Sequence, residues 1–497
     1  MMKNKQGLNH DLQDLHDSKN NTTKSGQSLN QKNQRSDNLQ PFYNTTIPSD
    51  WTAPEFGTVF SFLKSFSFSR EQLTNNKTND EIRNIHYGDI HATYENEILD
   101  FEFEHTVPFL KDGLMSVEAF KDEEFPALKD GDLIIADASE DYEGVCACIE
   151  LKNLNRSKVV SGLHTFAARA KKEKIAFGFR TYVMNHQQVV RELRRIATGI
   201  SVYSVSKTNL AKVKIPLPPL PEQKAIAHIL GLMDEAINNN NQIIAQKELR
   251  KKWLMQNLLT GKKRLKGFNR EWKEYHLGSL GDTYTGLTGK SKEDFGEGKP
   301  YIPYLNIFFN TKIDTTNFDY VKITEQDKQN KAQYGDIFFT VSSETPDEVG
   351  MASVLLEHID ELYLNSFCFG FRLHDFKTLV PQFSSYFLRA DAFREEIYKL
   401  SQGATRFNLS KTNLMKLIVI LPPIEEQIAI AQVLQAADKE IQLLKTKTEK
   451  LKEQKKWLMQ VLLTGKKRLN YDSSDLYDDY DSNANYKSDK SQESEKS

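Results

Sequence analysis

A 13-residue stretch that occurs twice constrains the fold of this chain more than any other feature. Residues 253–265 read WLMQNLLTGKKRL and residues 457–469 read WLMQVLLTGKKRL, so twelve of thirteen letters agree at an offset of 204. The same offset relates further matched segments, which are Pro218-Pro219 and Pro422-Pro423, Glu222-Gln223 and Glu426-Gln427, SKTNL from Ser206 and from Ser410, and Gly131-Asp132 and Gly335-Asp336. This period is too long for a solenoid repeat. We therefore predict two copies of a whole domain with its connector, and a function that is carried out twice.

Composition divides the chain into segments. The first 45 residues are polar and poor in large apolar side chains, so they cannot offset the entropy of ordering and are predicted to be disordered. A W-x5-G spacing marks the start of each half, at Trp51 and at Trp272. The predicted segments are 1–45, a disordered extension; 46–215, a first mixed α/β domain; 216–266, a long helix with its proline-rich start; 267–416, a second mixed domain; 417–469, a second long helix; and 470–497, an acidic disordered tail.

Turn signals and apolar runs predict an α+β fold within each domain. The local predictions are a strand for GDLIIA (131–136), a strand for VCACIEL (145–151), one or two strands for KIAFGFRTYVM (174–184), a helix for VVRELRRIA (189–197) and helix throughout SSYFLRADAFREEIYKL (384–400). Cys146 and Cys148 have the spacing of alternate strand positions, which favours core packing over a metal or redox site.

Each long helix carries a stripe at heptad spacing. Pro221 and Glu222 suit the first turn of a helix, and Gly261 suits its C-cap. The stripe residues are Ile226, Leu230, Met233, Ile237, Asn240, Ile244, Lys247, Lys251, Leu254 and Leu258 in the first helix, and Ile430, Leu434, Ala437, Ile441, Leu444, Thr448, Leu451, Lys455, Leu458 and Leu462 in the second. We expect the two helices to bury these stripes against each other. The alternative is that each helix packs only on its own domain.

Searches for catalytic motifs give no match. GLTGKS (286–291) resembles a phosphate-binding loop, but the motif needs glycine at position 284, which is Tyr284. His86, Asp89 and His91 lack a fourth metal ligand nearby in sequence. No run of 18 apolar residues predicts a membrane span, and the polar N-terminus does not look like a signal peptide, so we expect a cytoplasmic protein.

The linked motifs resemble those of the specificity subunits of type I restriction–modification enzymes. The resemblance rests on PLPPLPEQ (216–223), LPPIEEQ (421–427) and the two LLTGKKRL helix ends, and it covers residues 51–469. It implies two target recognition domains, each reading one half of a split DNA site. The two helices are implied to form an antiparallel coiled coil with pseudo-two-fold symmetry, which sets the length of the unread gap.

The resemblance also implies that the chemistry lies in partner subunits. In this family the specificity subunit has no active site. Two modification subunits use S-adenosylmethionine to methylate adenine, and two restriction subunits use ATP and Mg to translocate and cut DNA. No cofactor is expected on this chain itself.

The residues that contact DNA are predicted less directly, because recognition loops vary within this family. The candidates are Ser139, Glu140 and Tyr142 after GDLIIA; Arg169, Lys171 and Lys172 in the basic segment that follows; Lys290; Ser342, Ser343 and Glu344 after GDIFFT; and Arg406 and Asn408 in the glycine-rich segment GATRFNLSK. Solvated surface positions are the alternative for each. The first copy, GISVYSVSK, lacks the arginine and asparagine, so we expect its loop to play a different part.

Two rival functions follow from the same sequence. A self-sufficient nuclease or methyltransferase would need a catalytic motif, and activity of the isolated chain would establish it. A coiled-coil scaffold without DNA binding would leave the duplicated domains unexplained. A salt-dependent DNA-binding titration separates the scaffold from the specificity subunit.

Overall fold

The computed structural model describes residues 38–94, 96–116, 118, 120, 127–155, 157–171, 174–403 and 406–469. The chain forms two compact units. The first contains the described residues up to Ala225 together with those from Leu462 onward, and the second runs from Ile226 to Val461. Within the described ranges, no helix is long and apolar enough to span a bilayer.

The first unit begins with a hairpin that the sequence did not predict. Strands β1 (Leu39–Phe42) and β2 (Thr45–Pro48) pair antiparallel. The prediction of disorder is therefore wrong for residues 38–45, because Phe42 buries its ring against the domain. Residues 1–37 and the predicted acidic tail 470–497 lie outside the described residues.

Two sheets form the body of the first unit, in the orders β3-β12-β8-β10-β6 and β11-β5-β7-β4, and a short pair joins β13 to β9. The strands are β3 (Phe60–Phe62), β4 (Leu73–Thr74), β5 (Ile82–Ile85), β6 (Ile98–Asp100), β7 (Phe109–Leu110), β8 (Leu133–Ala136), β9 (Ala138–Ser139), β10 (Cys148–Lys152), β11 (Lys158–Ser161), β12 (Thr165–Ala170) and β13 (Tyr203–Ser204). The helices are α1 (Phe56–Val59), α2 (Tyr87–Ala92), α3 (Arg180–Met184), α4 (Gln187–Ile196), α5 (Lys207–Ala211) and the start of α6 (Leu220–Leu258). The predicted strand in GDLIIA and the helix in VVRELRRIA are confirmed. The strand predicted in VCACIEL begins only at Cys148, because Cys146 lies in a turn with a φ of 59° and not at an alternate strand position. Both cysteines are buried.

The second unit repeats this plan. Its sheets have the orders β15-β22-β18-β20 and β17-β16-β21, with short pairs β14-β24 and β19-β23. The strands are β14 (Lys273–His276), β15 (Gly281–Thr285), β16 (Phe295–Ile302), β17 (Asp319–Val321), β18 (Ile337–Thr340), β19 (Ser342–Ser343), β20 (Ala352–Val354), β21 (Tyr363–Leu364), β22 (Cys368–Leu373), β23 (Phe407–Asn408) and β24 (Ile418–Leu421). The helices are α7 (Tyr304–Phe309), α8 (Pro381–Phe387), α9 (Asp391–Leu400), α10 (Lys411–Met415) and α11 (Ile424–Leu462). Strands β8 and β18 are the equivalent inner strands of their sheets.

Two local predictions are wrong. KIAFGFRTYVM forms a turn and helix α3 instead of strands, because its apolar residues pack on one side of β10 while Glu150 accepts hydrogen bonds from the backbone of Gly178 and Arg180. The long helix predicted for 384–400 is two helices, α8 and α9. It breaks at Leu388–Ala390, where Arg389 turns to donate to the carbonyls of Ile307, Phe308 and Asn310.

The two long helices pair antiparallel within the second unit, as predicted. Lys455 pairs with Asp234 and Lys251 with Asp438, each at 2.5 Å, so residue numbers rise along one helix as they fall along the other. Adding the repeat offset of 204 to Lys251 and Asp234 gives Lys455 and Asp438. The two ion pairs are therefore equivalent, with the roles of the two helices exchanged. Each predicted stripe residue is buried or half-buried. Each helix has 39 residues and is therefore about 58 Å long.

The long helices also pack on a domain, which is part of the alternative prediction. The end of α6 and the start of α11 belong to the core of the second domain, where Leu258, Ile430 and Leu434 pack with Phe371 and Phe383. The helices are thus attached to the second domain at this end as well as to each other.

A glutamine holds each long helix to the domain that precedes it. Gln427 donates to the carbonyl of Pro422 at 2.9 Å, and its own carbonyl accepts from the backbone of Val380 at 3.0 Å. Gln223 repeats this with Pro218 at 2.8 Å and Ala176 at 2.9 Å. These buried hydrogen bonds tie the first turn of each helix to the domain that precedes it.

The helix ends explain the repeated LLTGKKRL. Gly261 and Gly465 adopt φ values of 71° and 68°, as expected for a helix C-cap. The arginine of each basic triplet then has a specific partner in addition to the helix dipole. Arg264 binds Glu426 in the second unit, and Arg468 binds Glu222 in the first.

The tryptophan of each W-x5-G completes these contacts. Trp272 donates its indole N–H to Glu426 at 3.2 Å, and Trp51 does so to Glu222 at 3.3 Å. The glycine of each motif lies against the short helix of SKTNL: a Cβ on Gly278 would lie 2.8 Å from the Met415 carbonyl oxygen. The matched letters of the repeat therefore hold domain and helix together.

Candidate nucleic-acid interface

The inner strand of each domain starts at a turn that requires glycine. Gly131 and Gly335 both adopt a φ of 85°, and the aspartate that follows each is buried. Asp132 accepts two hydrogen bonds from Arg169, at 2.8 and 2.6 Å. These hydrogen bonds raise the pKa of Arg169, which opposes the effect of its burial.

Arg169 consequently has a structural role at this end of the sheet. Arg372 binds Asp336 with the same two distances in the second domain. Since Ala168 lies opposite Leu133, Arg169 sits beside the start of β8, whereas Ser139 follows its end. The structure therefore places Arg169 and Ser139 at opposite ends of β8, and a DNA contact by Arg169 stays an untested prediction.

The opposite end of the inner strand brings several predicted residues together. In the second domain β19 pairs with β23, which places Ser342 opposite Asn408 and Ser343 opposite Phe407. In the first domain β9 pairs with β13, which places Ser139 opposite Tyr203. We name these pairs, with the loops that follow β9 and β19, the reading edges of the two domains.

The first loop, 139–144, is organised by its own polar groups. Ser139 is buried, and its hydroxyl accepts from the backbone of Asp141 at 3.3 Å. Asp141 accepts in turn from the backbone of Gly144 at 2.5 Å. Glu140 is exposed, and Tyr142 is half exposed with its ring edge-on to Tyr203, with 5.2 Å between ring centroids.

The second loop, 342–348, has a related arrangement. The Ser343 hydroxyl accepts from the backbone of Thr345 at 3.3 Å and donates to Glu348 at 3.1 Å. Glu344 is exposed. Three carbonyls at the end of this loop accept from Arg394, including those of Gly350 and Val349 at 2.8 and 2.6 Å. Such preorganisation lowers the entropy that a bound ligand would need to overcome.

The first glycine of each glycine-rich segment has the same backbone conformation. Gly199 and Gly403 adopt φ values of 133° and 134°, and a Cβ on either would come within 1.8 and 2.1 Å of the carbonyl oxygen three residues later. Arg406 is exposed at this turn, while residues 404 and 405 lie outside the described ranges. In the first copy Ile200 is 94% exposed. The two glycines therefore agree in conformation, whereas the residues that follow them differ in identity.

The predicted lysines lie elsewhere. Lys290 pairs with Asp327 at 2.7 Å, and its hydrogen bond lowers the pKa of Asp327 to about 2. Lys171 donates to the carbonyl of Gly57 at 2.8 Å, on the side of Arg169. Lys172 is outside the described residues. Neither described lysine belongs to a reading edge, and phosphate binding by them stays a prediction.

Sequence reasoning missed the lysines of the two SKTNL segments. The Lys411 ammonium lies 5.6 Å from the centroid of the Phe369 ring, and the Lys207 ammonium lies 5.3 Å from that of Phe166. Burial lowers the pKa of Lys411. Each lysine starts the helix that follows its reading edge. The repetition of SKTNL was the sequence signal that could have identified them.

Sequence reasoning also missed the helices α2 and α7. Tyr304 donates its hydroxyl to the carbonyl of Ser342 at 3.0 Å. In the first domain a ring nitrogen of His91 lies 3.2 Å from the carbonyl of Ala138. Since Ala138 and Ser342 are equivalent, each helix supports its reading edge with a different side chain. His91 is therefore engaged with backbone, and His86 caps α2 by accepting from Gly88.

Comparisons with known proteins agree with this architecture. A family model described as the type I restriction modification DNA specificity domain matches residues 48–248 and 269–453. The type I restriction enzyme MjaVIII specificity subunit of Methanocaldococcus jannaschii is 24% identical over 88% of this chain and 97% of its own length. The putative MjaX specificity subunit of the same organism is 28% identical over 68% of this chain and 79% of its own length.

A solved structure has the same fold. A chain from work on complex assembly and conformational transition of the type I R-M system superposes with a TM-score of 0.50 at 16% identity, and the match covers 86% of this chain and 100% of that one. The likeness agrees with the duplicated plan of domain and long helix found here.

Proposed function

Since this chain belongs to the type I restriction–modification DNA specificity family, we propose that it chooses the DNA site at which a multisubunit enzyme acts. One observation supports this most strongly. Two domains that share the order of four strands in one sheet and of three strands in the other present equivalent reading edges with different side chains, as reading two different half-sites requires.

The helix pair suits the gap between two half-sites. Half-sites one turn of DNA apart are separated by roughly 34 Å on one face of the duplex. A helix pair about 58 Å long resists bending, unlike a flexible linker, and so can define a fixed spacing. The proposal assigns the reading of bases to the two domains and the length of the unread gap to α6 and α11.

The chemistry is proposed to come from partners. Two modification subunits would supply S-adenosylmethionine and methylate adenine, and two restriction subunits would use ATP and Mg. This chain would hold double-stranded DNA and the modification subunits together in the cytoplasm. The described residues include no group of three or more His, Cys, Asp and Glu side chains placed to hold a metal ion.

Mapping of methylated adenines tests the proposal. The chain would be produced with its modification subunit in a methylation-free host, and the genome sequenced for modified adenine. We expect one split motif of two specific parts around a fixed unspecified gap. Exchanging residues 51–212 for those of another specificity subunit should change one part only. Methylation without a motif would refute the proposal, and methylation by the isolated chain would establish a self-sufficient enzyme.

A further inference from the structure

Two turns bring His164 and Phe367 to the same place in the two domains. The carbonyl of His164 accepts from the backbone of Asp137 at 3.0 Å, and the carbonyl of Phe367 accepts from that of Val341 at 3.1 Å. Asp137 and Val341 are each the residue that follows the inner strand, and His164 and Phe367 each precede the strand paired with it. These two side chains are therefore structural equivalents, although they are 203 residues apart and unlike in chemistry.

Phe367 is held in an exposed position. Its side chain is 63% exposed, and its backbone N–H donates to the Asn365 side chain at 2.7 Å in a tight turn. An isolated exposed apolar residue is ordinary and by itself implies nothing. Phe367 matters because of its location. Its carbonyl binds the backbone of Val341, the residue just before Ser342 at the start of the reading edge.

His164 is presented in a similar way by different means. Its φ is 52°, its side chain is 52% exposed, and a ring nitrogen lies 3.2 Å from the Asp137 carboxylate. The Tyr87 ring stands edge-on to it, with 5.5 Å between ring centroids. Two contacts, with Asp137 and with Tyr87, thus orient the imidazole beside the loop that begins at Ala138.

We infer that Phe367 and His164 are specificity-determining residues that contact bases, one in each half-site. The inference rests on the proposed function. Phenylalanine has no hydrogen-bonding group, and the apolar feature that distinguishes one base in the major groove is the C5 methyl of thymine. The assignment is therefore a contact between Phe367 and a thymine methyl. The His164 imidazole can donate or accept a hydrogen bond and reads a polar base edge instead.

Different residues at one place account for two copies of a fold reading different sequences. The backbone around each position is retained, and the side chain is exchanged. Arg169 and Arg372, by contrast, are identical at equivalent positions and face the other end of the inner strand. The differing pair, His164 and Phe367, thus lies at one end of the inner strands, and the identical pair of arginines lies at the other.

Competitive binding to a randomised half-site tests the inference, with the assembled complex of this chain and its modification subunits. For Phe367→Ala we expect the preference for thymine to fall about fourfold, the effect of one buried methyl, at one position of one half-site. The other half-site should be unchanged. The matched control is Phe376→Ala, because Phe376 is also exposed but lies beside Gly335 at the opposite end of β18.

Uracil in place of thymine isolates the methyl group. Wild-type complex should lose about fourfold in affinity when the assigned thymine lacks its methyl, and Phe367→Ala should bind both DNAs equally. His164→Asn, which tolerates the positive φ, should change one position of the other half-site.

The outcomes separate the inference from the proposed function. If the wild-type complex reads a split site and Phe367→Ala reads it identically, with equal sensitivity to uracil, the inference fails alone. If Phe367→Ala alters both half-sites, the assignment to one domain is wrong. A wild-type complex with no sequence preference would remove the proposed function as well.

Discussion

Arg264 donates to both carboxylate oxygens of Glu426, with N–O distances of 2.6 Å each. Arg264 follows the end of one long helix and Glu426 lies in the first turn of the other. The pair therefore closes one end of the antiparallel helices.

We expect Arg264→Ala to destabilise the second unit by up to about 3 kcal/mol, because the Glu426 side chain is 1% exposed and would be left as a buried charge. Urea unfolding would measure the loss. The double variant Arg264→Met with Glu426→Leu should recover most of it. Lys262→Ala, at an exposed site in the same basic triplet, should cost less than about 0.5 kcal/mol. Equal losses for Arg264 and Lys262 would contradict the importance of the pair.

Removing one heptad from each long helix should shorten the unread gap. Seven residues, taken within 237–251 and within 437–451, shorten the pair by about 10.5 Å, or roughly three base pairs. Both half-site sequences should stay as they were, and methylated-adenine mapping would show this. The control is Asn240→Leu, which keeps helix length. The Asn240 amide nitrogen is buried without a hydrogen-bond partner among the described residues, and Leu444 holds the equivalent place. Altered half-sites in the shortened chain would contradict the assignment of base reading to the domains and of gap length to the helices.

Lys411→Ala should weaken DNA binding without changing which sequence is preferred. An ammonium placed over an aromatic ring beside a reading edge suits a backbone phosphate, and phosphate contacts carry no sequence information. The slope of log affinity against log salt should fall by about 0.9. Lys377→Ala, at an exposed position beyond the far end of β22, is the control. A changed base preference in Lys411→Ala would instead indicate base contact.

Gly403→Ala should reduce specific DNA binding by roughly tenfold, because alanine at a φ of 134° is strained and its Cβ would meet the Arg406 carbonyl oxygen. The thermal midpoint should change little, since the turn is at the surface. Gly231→Ala is the opposite case: its Cβ would meet nothing within 4 Å in a helix, and it should stabilise the chain by about 0.5 to 1 kcal/mol. Normal specific binding by Gly403→Ala would show that this turn does not shape the reading edge.

The stability of the first domain should fall as pH rises from about 4.5 to about 7. Burial raises the pKa of Glu150 from 4.5 to about 7, and Arg180 and backbone hydrogen bonds only partly oppose this. The folded form therefore retains a proton that the unfolded form has lost, and the loss amounts to about 3 kcal/mol. Hydrogen exchange in residues 131–152 would follow it. Val354 occupies the equivalent position, so residues 335–356 are an internal control. Persistence of the trend in Glu150→Gln would rule out this carboxyl as its source.

The features that were predicted correctly from the sequence are signalled by neighbouring residues along the chain. Gly261, Pro221 and the heptad stripes are local signals, and the structure confirms the helices and the packing they indicate. Helix α3 was missed because the apolar run that includes Phe177, Phe179 and Tyr182 has the composition of a strand, whereas Glu150, which accepts hydrogen bonds from the backbone of this segment, is distant in sequence. The break at Arg389 likewise depends on distant carbonyls.

Some residues of the reading edges could be predicted from the sequence, but their pairing could not. Ser342 and Asn408 were candidates separately, but their pairing joins residues far apart in sequence. His164 and Phe367 could not be matched from letters, since they differ in identity and their spacing departs by one from the repeat. Equivalent positions with different residues are not visible as a sequence repeat. Arg169 lies at the opposite end of β8 from Ser139 because β12 runs antiparallel to β8, a placement that the sequence alone does not show.

Gln223 and Gln427 each tie the first turn of a long helix to the preceding domain by buried hydrogen bonds. A DNA site with one base pair too many would present its second half rotated by roughly 34 to 36°. Where a specificity protein does not follow that rotation, the duplex itself must untwist. Discrimination between gap lengths would then be a torsional cost borne by bases that no side chain touches.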